Sequence, residues 1–160
     1  MILKDEVKIS EDISLEPYQE EKHIKTLEEM RNDPELRPFL FKTRELNIIN
    51  KDGNAIGYIY FNQLHYLEDS VSLTVGLKKE YRSHSKEDKN GMGQYVISSI
   101  ASYLLNDIGF EAVVLETKPC DERIKKAAEH AQFTRDAHLE MQFYKEGYPN
   151  VPYVRRKERH

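Results

Sequence analysis

The sequence predicts a mixed α and β domain, with a hairpin early and a strand-helix-strand-helix stretch late. Three observations carry that expectation. Apolar runs at residues 45–49 and 55–61 flank Lys51-Asp52-Gly53-Asn54, where Asp-Gly is the strongest short hairpin signal. Residues 70–77 alternate strictly, and after a polar stretch Gly91-Met92-Gly93 stands at the head of a helical pattern. Residues 112–117 and 121–130 then repeat strand and helix.

Taken in order, residues 18–30 place Ile24, Leu27 and Met30 at helical spacing, and Asn32-Asp33-Pro34 breaks that helix, so a charged helical arm is expected first. The hairpin follows, with Tyr58 and Tyr60 on the same strand face as Ile56, as core or cleft lining. In residues 70–77, Val71, Leu73, Val75 and Leu77 share one face, read as core. Ser70, Ser72, Thr74 and Gly76 share the other, read as open. Ile97, Ile100, Ala101, Leu104, Leu105 and Ile108 recur at three and four residues over 94–107, giving a helix with a buried stripe that Gly109 stops. Residues 133–144 alternate in their second half like a strand, and 147–152 read as loop. Residues 154–160 are basic and read as a solvated end.

Composition bounds the class. With 160 residues, 7 Gly, 6 Pro and 32% charged residues, one compact domain spanning 1–160 is expected, and collagen-like or disordered readings are disfavoured. A single Cys makes no internal disulfide, and the scattered His residues offer no metal-ligand spacing, so no metal is expected. No apolar run is long enough to span a bilayer, and MILKDEVKIS lacks the pattern of a signal peptide, so a cytoplasmic protein without membrane association is expected. A formal charge of -4 argues against bulk nucleic-acid binding, leaving only the basic tail for such contact, with salt-dependent binding as its signature. Oligomeric state is left open, a homodimer included.

The chemistry sits at the glycine loop. A helix start carries unpaired N–H groups and a positive dipole end, and glycine lets a phosphate approach the backbone closely. The Rossmann and P-loop patterns are absent, which argues against a nucleoside triphosphate. Around the loop the chain reads Leu77-Lys78-Lys79-Glu80-Tyr81-Arg82, then Asn90-Gly91-Met92-Gly93, then Asp121-Glu122-Arg123 and Ala131-Gln132-Phe133. With these segments, residues 71–133 resemble the GNAT superfamily of acetyl-CoA-dependent N-acetyltransferases.

The resemblance implies a splayed, mostly antiparallel sheet with helices on both faces and acetyl-CoA wedged between the fourth and fifth strands. It implies that the backbone of Val75, Gly76 and Leu77 pairs with the pantetheine arm. The N–H groups of Asn90, Gly91, Met92, Gly93 and Gln94, helped by Arg82, would hold the pyrophosphate, and Asp121 would sit near the pantetheine amides. The function implied is acetyl transfer to a primary amine of a small molecule or peptide by direct attack, with the Leu77 N–H polarising the thioester. The sequence departs from the family at four places. Residues 84–89 look inserted, Asp121 replaces Asn, Gln132 replaces Gly, and Ala128 stands where many members carry a Tyr acid. A catalytically silent CoA-binding or partner-binding regulator of the same fold therefore stays open as the alternative.

For the general base, Glu68 and Asp69 enter the strand at 70–77 and Glu116 competes with them; for the acid, Tyr144 and His130 are available. Tyr81 reads as packing. Cys120 offers a covalent route, although a lone Cys with no neighbouring His is usually structural. The carboxylates of residues 18–35 suit a cationic acceptor or simply an exposed helix.

Overall fold

The computed structural model describes residues 3–40, 43–64, 67–82, 91–118 and 121–158. In chain order these form β1 (Val7–Lys8), β2 (Ile13–Pro17), α1 (Glu20–Arg31), β3 (Asn47–Lys51), β4 (Asn54–Gln63), β5 (Ser70–Leu77), α2 (Met92–Ser102), β6 (Ala112–Thr117), α3 (Glu122–His130), β7 (Thr134–Arg135), α4 (Ala137–Lys145) and β8 (Val151–Arg156). The strand order is β1-β2-β3-β4-β5-β6-β8-β7. The described pairings are antiparallel except β5 with β6, so the class is mixed α/β with a mostly antiparallel sheet. Among the described residues, no helix is long and apolar enough to cross a membrane.

The chain divides into two compact units, one comprising Met1–Phe61 with Val75–Tyr81 and the other the remainder. In the first, β2 pairs with β3 so that Leu15 faces Ile49, and β3 pairs with β4 across the Asp52-Gly53 turn, with a bulge between Ile49 and Asn50. Leu27 and Met30 of α1 join Leu36, Leu40, Leu46, Ile48, Tyr58 and Tyr60 in one core cluster. The two tyrosine rings meet edge to face at 5.6 Å. A Cβ at Gly57 would overlap the Gly76 carbonyl oxygen, and one at Gly76 would overlap the Tyr58 ring, so β4 and β5 approach closely here because both positions are glycine.

In the second unit, Ser70–Leu73 of β5 run parallel to Ala112–Leu115 of β6. That register ends at Leu73 and Leu115, whereas β5 continues to Leu77 and β6 to Thr117. β6 pairs along its whole length with β8, and β8 with the short β7. Ala112, Val114, Leu139, Phe143 and Val154 form this unit's cluster, with Leu64 and Leu67 against it.

The structure corrects five expectations. Two strands precede α1, because Ile13 and Leu15 are buried by pairing with β3 and do not belong to a helical arm. The serine face of β5 is closed: Ser70 and Ser72 are buried, while Thr74 and Val75 are the half-buried positions. The helix read over 94–107 is α-helical only to Ser102. It then widens into a π-helical turn at Tyr103–Ile108, ended by Gly109 at φ 98°. Residues 137–145 are helical, because the Asp136 carboxylate accepts the Leu139 N–H at 2.9 Å and Leu139 and Phe143 bury one helical face. The basic tail begins inside β8, where Val151, Tyr153 and Val154 are buried, so the loop ends before Val151.

Candidate functional site

The start of α2 is built differently from the other helix starts of its unit. Gly91 occupies the N-cap at φ 68°, a left-handed conformation that glycine adopts without strain, and a Cβ there would point into open space. Among the described residues no side chain caps the helix, and no acidic residue lies in its first turn. No carboxylate of that turn offsets the polarity of its N–H groups, and Met92, Gly93 and Gln94 are half-buried. By contrast, Asp121 caps α3 by accepting the Ile124 N–H at 3.1 Å, and Asp136 caps α4. This gives Asp121 a structural role that accounts for a carboxylate at that position.

Of the other residues expected to hold a cofactor, Gly76 and Leu77 are buried at the end of β5, and Val75 is half-buried. Lys78, next in sequence, donates its N–H to the Ile56 carbonyl at 2.7 Å and pairs through Nζ with Glu29 at 3.0 Å. Arg82 is half-buried and closes the described segment; Asn90, residues 84–89 and Cys120 lie outside the described residues.

The five candidate proton carriers separate clearly. Glu68 and Asp69 are exposed in the turn before β5, with Asp69 at φ 50° and its carbonyl accepting the Glu111 N–H at 2.9 Å. Tyr144 is 80% exposed on α4. Glu116 is half-buried on β6. Its carboxylate accepts the hydroxyl of Ser72, which is fully buried, and the Asn150 side-chain N–H at 3.3 Å. His130 is exposed in the last turn of α3, and Ala128 is completely buried. Tyr58 and Tyr60 belong to the core, and burial pushes the Tyr60 phenol up to about 12. Gln132 sits at φ 70°, which explains why a glycine suits its place in the resembling motif. Among the described residues no group of His, Cys, Asp or Glu could hold a metal.

No protein-family model and no curated protein sequence matches the chain. Solved structures do match over nearly its full length. A GNAT-family acetyltransferase from Bacillus anthracis aligns at TM-score 0.66 and 11% identity, covering 93% of this chain and 95% of that one. An acetyltransferase from Salmonella typhimurium that modifies the N-terminal serine of ribosomal protein L7/L12 aligns at TM-score 0.67 and 11% identity, covering 96% and 100%. The structure of AAC(6')-Ib with paromomycin and acetyl-CoA aligns at TM-score 0.66 and 16% identity, covering 92% and 94%. This chain has the GNAT acetyltransferase fold.

Within that GNAT fold, sequence reasoning missed two side-chain networks. One joins Glu16, Lys22, His23 and Asn50 in the first unit, and the other adds Ser72 and Asn150 to Glu116 in the second. The nearest sequence signal for the second was the polar face of the strand at 70–77, with Ser72 in it, read there as open.

Proposed function

We propose that this chain transfers an acetyl group from acetyl-CoA to a primary amine of a small molecule or peptide, by direct attack of the amine on the thioester. The observation that carries the reading is the start of α2. It is a glycine-entered helix terminus with no acidic residue in its first turn and no cap among the described residues, suited to phosphate oxygens, in a chain with the GNAT fold. The residues assigned to acetyl-CoA are Val75, Gly76, Leu77, Arg82, Asn90, Gly91, Met92, Gly93, Gln94 and Asp121. Acetyl-CoA supplies an activated acyl group, and the protein's part is to hold it, desolvate the amine and take up its proton.

Calorimetric titration with acetyl-CoA, with CoA as the comparison, tests the assignment. Saturable one-to-one binding is expected, and Gly91→Asp should abolish it while circular dichroism stays unchanged, because a carboxylate would then face the phosphates. Affinity unchanged by Gly91→Asp overturns the placement. A silent regulator of the same fold is the second reading, favoured by the buried Ala128, which supplies no acid. Amine-stimulated thiol release separates it from an enzyme.

A further inference from the structure

We infer that Glu116 is the carboxylate that receives the acceptor amine's proton, and that Ser72 and Asn150 are positioning residues that fix its orientation. This rests on the acetyl-transfer reading above and specifies which group of that site does the proton transfer. Three observations converge on it. Glu116 is the first residue of β6 beyond the last pair of the parallel β5–β6 register, at the carboxyl end of the strand. The carboxyl ends of parallel strands are where open α/β sheets hold their ligands. Second, the carboxylate is oriented from both sides by residues distant in sequence. The Ser72 hydroxyl donates to Oε2 and the Asn150 amide donates to Oε1 at 3.3 Å. Ser72 is fully buried and its strand fixes it, so the contact is set by the fold and not by a surface rotamer.

Third, the rivals are less restrained. Glu68 and Asp69 are exposed in a turn, and Tyr144 stands out in solvent. Glu116 is half-buried, dry enough for an ammonium to be held by charge and open enough to be reached. A carboxylate has about four acceptor positions, and the two donors among the described residues occupy one on each oxygen. A protonated amine requires a further position on such a carboxylate.

The step balances simply. The ammonium form of the acceptor gives one proton to Glu116, and the freed nitrogen lone pair bonds to the thioester carbonyl carbon. The C–S bond then breaks, and the thiolate takes the second nitrogen proton to leave as CoA thiol. Glu116 returns its proton to water.

The test measures thiol release from acetyl-CoA between pH 5.5 and 9.5, with propylamine, spermidine, an aminoglycoside and a serine-ended peptide as probes. Wild type is compared with Glu116→Gln, Ser72→Ala and Asn150→Ala, each also titrated calorimetrically with acetyl-CoA. Glu116→Gln should lower amine-dependent release about 100-fold or more with acetyl-CoA affinity unchanged. Ser72→Ala and Asn150→Ala should lower kcat while leaving the KM for acetyl-CoA unchanged. A purely structural role would lower the melting temperature and leave the kcat of the folded protein in place. Asn150 is half-buried in a loop, so its variant keeps the test available should Ser72→Ala fail to fold. Release within about threefold of wild type in Glu116→Gln overturns the assignment. So does a wild type that binds acetyl-CoA but is stimulated by none of the amines, and in that case the cofactor assignment survives. A wild type that binds no acetyl-CoA overturns the function and this assignment together.

Discussion

Glu16 and Glu116 are both held by side-chain donors, and the contrast between them separates a carboxylate used as architecture from one available for chemistry. Glu16 on β2 is 3% exposed and has three donors. Lys22 Nζ and Asn50 Nδ2 reach it at 2.9 Å, and His23 Nε2 lies at 2.9 Å. The Gln19 N–H donates to His23 Nδ1 at 2.9 Å, so the ring turns Nε2–H toward Glu16. The network ties β2, α1 and β3 together, with Oε1 accepting from two side chains and Oε2 from one. Among the described residues Glu116 has two donors, and it is half-buried. A buried charge held by three donors contributes to the fold; a half-buried one held by two is more available to receive a proton.

The largest test of this contrast removes the closed carboxylate. Glu16→Ala strands the Asn50 amide, the His23 N–H and one contact of Lys22. A buried network broken on one side typically costs about 3–5 kcal/mol. Urea denaturation should show a loss of that order, as a lower midpoint with an unchanged slope. A loss below about 1 kcal/mol would mean that water replaces the carboxylate, and the two glutamates would then not differ in kind.

Acid should reveal the same asymmetry. Burial alone would raise the Glu16 pKa, but the hydrogen bonds from Lys22, Asn50 and His23 outweigh it and hold the group at about 2, against 4.5 for an ordinary glutamate. A carboxylate whose pKa is depressed in the folded state contributes stability that is complete above the unfolded value of 4.5 and lost as pH falls toward 2. At about 1.4 kcal/mol per pH unit, that contribution is about 3 kcal/mol. Melting temperature followed from pH 6 to pH 2 should fall more steeply in wild type than in Glu16→Gln. Parallel curves would show that the network does not stabilise the ionised form.

Much of the fold was legible in the sequence, and the two networks were not, for a common physical reason. The β3–β4 hairpin, β5, α2, β6 and α3 each announce themselves through local periodicity and the Asp52-Gly53, Gly91 and Gly109 punctuation. In α4 the same periodicity misleads: Leu139, Met141 and Phe143 alternate as a strand would, and the deciding signal is the Asp136 cap just before them. β2 has only Ile13 and Leu15 as its apolar alternation, with no turn signal like Asp52-Gly53 beside it, and is fixed by pairing with β3. Of the site, the α2 start was readable because its chemistry is backbone chemistry at a glycine. The partners of Glu116 are 44 and 34 positions away, and Asn50 is 34 positions from Glu16, so neither network leaves a local mark.

The smallest expected effect sharpens the comparison most. Glu116→Gln keeps the size of the side chain, and a Gln can still accept from Asn150 while its own amide donates to the Ser72 hydroxyl, which rotates to accept. Both contacts survive without the charge. At a half-buried position, exchanging two such bonds for neutral ones should change stability by no more than about 1 kcal/mol. Glu16→Gln is different, because all three partners of Glu16 are donors: the Gln carbonyl can still accept at one oxygen position, but its NH2 must face a donor at the other. Paired denaturation curves of the two Glu→Gln variants therefore isolate the property that separates the sites. A large loss in Glu16→Gln with a small one in Glu116→Gln places the fold's dependence on the first and leaves the second free for chemistry. Equal losses would make Glu116 as much a structural group as Glu16 and would leave the exposed Glu68 and Asp69 as the only carboxylates of the original set still able to take a proton.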